Sequence, residues 1–262
     1  MPILQEHKEF LLSQSESKTL LEWYQFFDYK YSKNQIYSFC YRNNKKIKKL
    51  DKNIKSQIQS ENARKYNINQ DYFKTWSNNM AYILGFWYAD GCIYGGKMFD
   101  ITLHKKDKYI IKKIAQELDY KGPILDYVDR QACRINFSCK VIYNDLIALG
   151  GTERKSKTLQ FPNIPIEFLP DFIRGYFDGD GSVYNVKGKR INTNFACGSN
   201  KFLQSLLQLL KKEAGIEGGS ISIANQSLTF GKKDSIKLGN YIYQNNPELY
   251  LLRKYEKFKQ YL

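Results

Sequence analysis

Histidine is the scarcest chemistry in this chain: only His7 and His104 occur among 262 residues. That argues against histidine-rich metal sites and against most Ser-His-Asp arrangements. The five cysteines, Cys40, Cys92, Cys133, Cys139 and Cys197, are odd in number and scattered. Neither a disulfide framework nor a zinc ribbon can be drawn from them, and a reducing compartment is the default. Long apolar runs are also missing, since the longest, Met80 to Ala89, is about half of the roughly 20 residues that span a bilayer. The opening MPILQEHKEF has neither the basic nor the apolar region of a signal peptide. The expectation is a protein of the cytoplasm, bacterial or phage-encoded, or of an organelle, and not a secreted one. Negative charge is in short supply: 26 Asp and Glu face 41 Lys and Arg, a net charge of +15. An anionic polymer or surface is the expected partner. Any catalysis rests on carboxylates.

Residues 1 to about 79 contain no glycine and only Pro2, with 14 basic and 8 acidic side chains, and read as helical. Lys18 to Phe27 places Leu20, Leu21, Tyr24 and Phe27 at helical spacing, and Ser32 to Arg42 does the same with Ile36, Phe39 and Cys40. Ser32 is the candidate N-cap of the second helix. The basic run Arg42, Lys45, Lys46, Lys48, Lys49, Lys52 and Lys55 comes next. Helix, turn, helix and basic tail together suit a helix-turn-helix with a phosphate-binding extension; a small helical cap with a solvated basic tail is the alternative. The polar, Asn-rich stretch Asp51 to Gln70 reads as a linker. The expected division is 1–70, 71–160 and 161–262.

The last two segments are copies of each other. Ile83-Leu84-Gly85-Phe86-Trp87-Tyr88-Ala89-Asp90-Gly91 aligns without a gap with Ile173-Arg174-Gly175-Tyr176-Phe177-Asp178-Gly179-Asp180-Gly181, 90 residues on. Period-two strands come after each: Phe99, Ile101 and Leu103 alternate with Asp100, Thr102 and His104, and Ile191, Thr193 and Phe195 with Arg190, Asn192 and Asn194. Gly95-Gly96 and Lys187-Gly188-Lys189 supply the turns. Amphipathic helices are expected at Lys108 to Leu118 and Lys201 to Ala214, each succeeded by a second strand pair. Cys133, Ile135 and Phe137 are apolar in one; Ile221, Ile223, Leu228 and Phe230 are apolar in the other. With a closing helix the order is αββαββα, twice.

In the first helix of each copy, Gly85 with Ala89 and Gly175 with Gly179 lie four apart, on one face, where small residues admit another backbone. Glycine within a soluble helix costs about 1 kcal/mol relative to alanine, so a compensating helix-helix contact is expected. Asp90 and Asp180 fall at helix C-termini, where the macrodipole disfavours a carboxylate by a few tenths to about 1 kcal/mol, so something cationic should offset them. Side by side, two such ends bring both carboxylates together beside unpaired carbonyls, an oxygen-rich cage suited to Mg²⁺. Asp178-Gly179-Asp180-Gly181 is no EF loop, because Val183 stands where glycine is needed and Lys189 where glutamate is needed.

At these residues the chain resembles the LAGLIDADG homing endonucleases of the single-chain, two-motif kind, from about Met80 to Leu262. Glu153-Arg154-Lys155-Ser156 and Leu252-Arg253-Lys254-Tyr255 resemble the segments that close each half. The resemblance implies an α+β fold: two pseudo-symmetric αββαββα repeats form a DNA-binding saddle, here preceded by a small helical domain. It implies a site-specific, divalent-metal-dependent DNA endonuclease acting as a monomer. Asp90 and Asp180 would hold Mg²⁺ or Mn²⁺ with the carbonyls of Ala89 and Gly179, and Lys155 and Lys254 would match the basic residue near the active centre. Solvated surface lysines are the alternative for that pair. Tyr88 replaces the motif's first acid, which Asp178 retains. The polar side of the hairpins, Thr102, His104, Arg134, Asn136 and Ser138, then Arg190, Asn192, Asn194 and Gln226, faces base edges in this reading. Lys97, Lys187 and Lys189 meet phosphates, on a long, asymmetric double-stranded target. An intron RNA maturase and a non-catalytic DNA-binding regulator are the competing functions, and intein chemistry is disfavoured by the termini.

Overall fold

The computed structural model describes residues 2–28, 30–48, 67–186 and 190–262. The chain divides into two compact units, Met1–Lys65 and Tyr66–Leu262.

Among its described residues the first unit holds three helices: α1 (Gln5–Gln14), α2 (Leu20–Phe26) and α3 (Lys33–Arg42). Both expected helices are present. The second begins behind Ser32, which accepts from the Gln35 amide in a reciprocal capping box. The first starts at Leu20 and not Lys18, because Thr19 makes the same box with Glu22. α1 has no counterpart in the sequence pattern: Leu11 is its buried residue, so its apolar periodicity is faint. Leu11, Trp23, Phe27, Tyr31, Ile36 and Cys40 form this unit's core. Lys49, Lys52, Lys55 and most of the expected linker lie outside the described residues.

In the second unit the doubled αββαββα order is present. The first copy comprises α4 (Asn78–Asp90), β1 (Gly91–Tyr94), β2 (Met98–His104), α5 (Lys108–Glu117), β3 (Leu125–Tyr127), β4 (Ala132–Ser138) and α6 (Lys140–Ala148). The second comprises α7 (Leu169–Asp180), β5 (Gly181–Val186), β6 (Arg190–Ala196), α8 (Asn200–Glu213), β7 (Ser220–Ser222), β8 (Ser227–Phe230) and α9 (Lys232–Ile242). A short 3₁₀ turn, Lys155–Lys157, succeeds the first copy, and α10 (Leu252–Phe258) the second. Each copy builds an antiparallel sheet with the same order, β1-β2-β4-β3 and β5-β6-β8-β7. Gly91 faces Ile101 in one and Gly181 faces Phe195 in the other, so the glycine ending each motif is also the first strand residue. Ile223 departs from the expected alternation. It stands past the end of β7 and is 74% exposed, because that strand is only three residues long. Among the described residues no helix is long and apolar enough to cross a membrane.

Candidate active site

α4 and α7 are buried through most of their length, and they touch backbone to backbone. A methyl group placed on Gly85 would lie 2.0 Å from the Phe172 carbonyl oxygen, and one on Gly175 2.0 Å from that of Tyr82. One turn on, a methyl on Gly179 would meet the Ala89 Cβ at 2.3 Å and Asp90 Oδ2 at 3.0 Å. The small residues at four-residue spacing therefore line the crossing from both sides. Because the motifs are equivalent, the crossing brings both helix ends, and with them Asp90 and Asp180, to one place.

Asp90 is exposed and Asp180 half-buried. Partial desolvation, then the charge of Asp180, push the Asp90 carboxyl up to about 6. Burial raises Asp180 as well, against the pull of Lys155 and Lys254. Those two lysines are 8% and 3% exposed, which removes the solvated-surface alternative. Lys155 Nζ donates to the Gly91 carbonyl at 2.5 Å and to that of Ala89 at 3.4 Å. Lys254 Nζ donates to the carbonyls of Phe177 and Asp178 at 2.6 Å, Gly181 at 2.5 Å and Gly179 at 3.5 Å. Each ammonium lies 5.3 Å from a ring centroid, Trp87 or Phe177. The cation that the helix ends require is thus built into the chain, one lysine per helix, where carbonyls of the last turn and of the glycine after it accept charge-assisted bonds. Burial lowers Lys155 and brings Lys254 down to about 8.

The residues two before the acids have structural work. Asp178 is 1% exposed, its Oδ2 accepting from Tyr82 Oη at 2.9 Å and from the Leu251 amide at 2.7 Å. It ties α7 to α4 and to the segment that carries Lys254. Tyr88, its counterpart, donates to the Leu149 carbonyl at 2.7 Å and ties α4 to the end of its own repeat. Both residues anchor chain downstream of their motif, so Tyr88 stands for an acid without loss of that anchor. Arg174, which motif spacing does not single out, is 1% exposed and binds Asp171 and the carbonyls of Ile242 and Leu249. A charged residue inside the motif's apolar stretch was the available signal. Arg253 is likewise held, by both oxygens of Asp107 in the first repeat.

A cleft of about 330 Å³ opens beside Asp180, lined among others by Lys155, Cys197, Asn225 and Gln226. Gln226 stands in the turn before β8 with φ 49°. Across the first sheet, Ile93, Phe99, Ile101, Leu103, Cys133, Ile135 and Phe137 are buried on one side. Thr102, His104 and Ser138 are exposed on the other, and Lys97 is exposed at the β1–β2 turn. Arg134 and Asn136 share that outward side, where both are hydrogen-bonded to Asp100. In the second sheet Asn192 and Asn194 are half-buried, and Asn194 donates to Thr229 Oγ1 at 3.3 Å. Lys187 and Lys189 lie outside the described residues, and nothing is described of the Arg190 side chain.

Without divalent ions, the burial of the Asp90 carboxylate, and then its nearness to Asp180, work against stability at neutral pH. The Asp90 pKa is raised on folding, from 3.8 to about 6. The folded state therefore binds the proton first, and this part of the stability grows as pH falls through 6 toward the unfolded value. In EDTA, the difference in melting temperature between Asp90→Asn and wild type is expected to be a few degrees in favour of the variant at pH 7.5 and to shrink by pH 5. A difference that stays constant with pH would show that the Asp90 carboxyl is not raised on folding.

Comparison with known proteins agrees with this architecture. Residues 167–227 match the family model described as LAGLIDADG-like domain. No curated protein matches the chain in sequence. Among solved structures, a mutant of I-SmaMI is 11% identical with a TM-score of 0.51, covering 69% of this chain and 88% of its own. The meganuclease I-SmaMI bound to uncleaveable DNA is 12% identical with a TM-score of 0.50, covering 71% and 88%. Full-length DUF199/WhiA from Thermatoga maritima is 16% identical with a TM-score of 0.47, covering 74% and 63%. The fold is that of the single-chain, two-motif LAGLIDADG homing endonucleases.

Proposed function

We propose that this chain with a LAGLIDADG fold is a site-specific endonuclease for double-stranded DNA, using Asp90 and Asp180 to hold a divalent metal and the outward sides of its two sheets to read the target. The observation that carries the reading is the convergence of the two aspartates, each beside a buried lysine, at the ends of α4 and α7. The donor set suits a hard cation: two carboxylates, one of them raised by burial and then by the other's charge, with backbone carbonyls adjacent. Among the described residues no group of three or more His, Cys, Asp or Glu is placed to hold a metal, so further ligands would be the Ala89 or Gly179 carbonyls, water or the phosphate itself. Mg²⁺, or Mn²⁺, bound there supplies an activated water and neutralises charge on the phosphorane-like transition state and the leaving 3′ oxygen.

The chain's own residues do the rest. Asp90 and Asp180 fix the position at which a phosphodiester is attacked. Lys155 and Lys254, held over aromatic rings by carbonyl bonds, lend fixed positive charge where negative charge develops, with no reorganisation during the step. Both acids come from one chain, so a monomer is sufficient for cutting both strands. The sheets carry different polar residues at matching places, which suits a long target without strict palindromy. I-SmaMI is described as bound to uncleaveable DNA, a partner of the same class. In the N-terminal unit, Tyr37 and Tyr41 are 54% and 72% exposed on α3, and Lys45, Lys46 and Lys48 line a groove beside them. A helix-turn-helix contact with the same DNA fits this face.

The test is to incubate the full chain with a randomised duplex pool and recover cut ends. Recurrent breaks that need Mg²⁺ and vanish in EDTA are expected. Enrichment of bound duplexes with no breaks in Mg²⁺ or Mn²⁺ would leave a DNA-binding regulator, and preferential retention of structured RNA a maturase.

A further inference from the structure

We propose that Asp100 is a specificity-determining positioning residue: it holds Arg134 and Asn136 as one fixed set of hydrogen-bonding groups, so that this part of the first sheet reads a single base pair as a unit. The inference rests on the DNA-reading role above. Asp100 belongs to the outward side of β2, with Thr102 and His104, yet it is 5% exposed. Its neighbours on the same side cover it. Asp100 faces Asn136 across the strands, and Thr102 faces Arg134. Oδ2 accepts from Arg134 Nε at 2.6 Å, from a second nitrogen of the same guanidinium, and from Asn136 Nδ2 at 2.9 Å. Oδ1 accepts from Thr102 Oγ1 at 3.1 Å. Tyr94 Oη accepts from Arg134 at 3.3 Å and from Asn136 at 3.2 Å, Asn136 Nδ2 also donates to the Phe99 carbonyl at 3.2 Å, and Arg134 Nη1 reaches Tyr127 Oη at 3.4 Å, so the Asn136 amide nitrogen is spent within the cluster and its Oδ1, with Arg134 Nη1, is left for a base edge.

A carboxylate in the middle of a phosphate-seeking surface is a liability unless neutralised, and here Arg134 neutralises it. The consequence for recognition is geometric. An arginine free on a surface adapts to guanine, to another base edge or to a phosphate. One clamped on its Nε side keeps its remaining donors in one place, and any base pair that does not match leaves them unpaired. Among the described residues the second sheet lacks the device. By register from the two motif glycines, Asn194 matches Asp100 and Ser227 matches Arg134, and among those residues Asn194 donates to Thr229 Oγ1 at 3.3 Å. Stringent reading at this place is therefore a property of the first half alone.

The experiment selects bound duplexes from a randomised pool in EDTA with the full chain, with Asp100→Asn, nearly the same shape without the charge, and with Arg134→Lys, which keeps the charge without the fork. Wild type is expected to demand one base pair within the first half-site. In both variants that preference falls by about ten- to a hundredfold, while preferences elsewhere stay within a few fold. A merely structural ion pair would lower melting temperature and weaken all positions alike. That result, or unchanged base preferences in both variants, overturns the proposal. A wild-type chain that enriches no sequence overturns the DNA-reading role itself.

Discussion

Asp90→Asn and Asp180→Asn are each expected to abolish Mg²⁺-dependent double-strand cleavage, a loss on the order of 10³-fold or more, while affinity for DNA stays within a few fold. The amide keeps the volume and the polar contacts of the carboxylate but not its charge, and a neutral amide oxygen is a poor ligand for a small, strongly hydrated dication. Binding is spared because it is spread over many phosphate contacts of a chain with net charge +15. The substitution does not threaten the fold, since it removes repulsion between the two acids. Single-turnover cleavage with a filter-binding titration on the same duplex separates the two effects. Cutting at the wild-type rate by both variants would refute the catalytic assignment.

Gly175→Ala is expected to destabilise the protein despite the helix propensity that alanine adds. Propensity favours the substitution by about 1 kcal/mol. Against it, the new methyl would stand 2.0 Å from the Tyr82 carbonyl oxygen and 2.8 Å from the Phe86 amide nitrogen. Both are backbone atoms of a buried helix, so no side chain can swing aside and the helices must part. Overpacking of a close-packed interior costs typically about 1–3 kcal/mol, occasionally more, and parting here opens gaps along the whole crossing. A net loss of about 2 kcal/mol corresponds to a fall of roughly 4–8 °C in melting temperature for a unit of this size. Cleavage is expected to suffer beyond the loss of stability, because parting the helices also parts Asp90 from Asp180. Gly85→Ala should behave alike, its methyl meeting the Phe172 carbonyl oxygen at 2.0 Å. A melting temperature raised by both substitutions would mean that the helices do not cross at these glycines.

The order of elements in the second unit is legible because helix and strand periods, turn glycines and a gapless repeat are all written along the chain. The same holds for the helix-helix contact, since a four-residue spacing of small side chains means one thing on a helix. α1 is not legible, because one buried leucine makes no stripe. The aspartates stand out for a local reason: a carboxylate at a helix C-terminus is electrostatically misplaced, and the repeat shows it twice. The groups that offset them are only partly readable. From the residues alone, the offset is a divalent metal beside unpaired backbone carbonyls; the carbonyls of Ala89 and Gly179 and the two lysines are named only through the family resemblance. The folded chain also brings buried ammoniums to those helix ends from 66 and 75 residues away.

Sequence alone thus determined the two repeats, their strands, the crossing of the glycine-bearing helices and the pair of acids at its end, because each depends on spacings within a few turns or one hairpin. Only the tertiary structure decided that Lys155 and Lys254 are buried caps, that Asp178 and Tyr88 anchor the segments downstream of their motifs, and that Arg134 is clamped by Asp100. Those outcomes depend on which atoms meet across strands and between distant segments. Burial then converts each meeting into a bond that must be satisfied, and no periodicity records it.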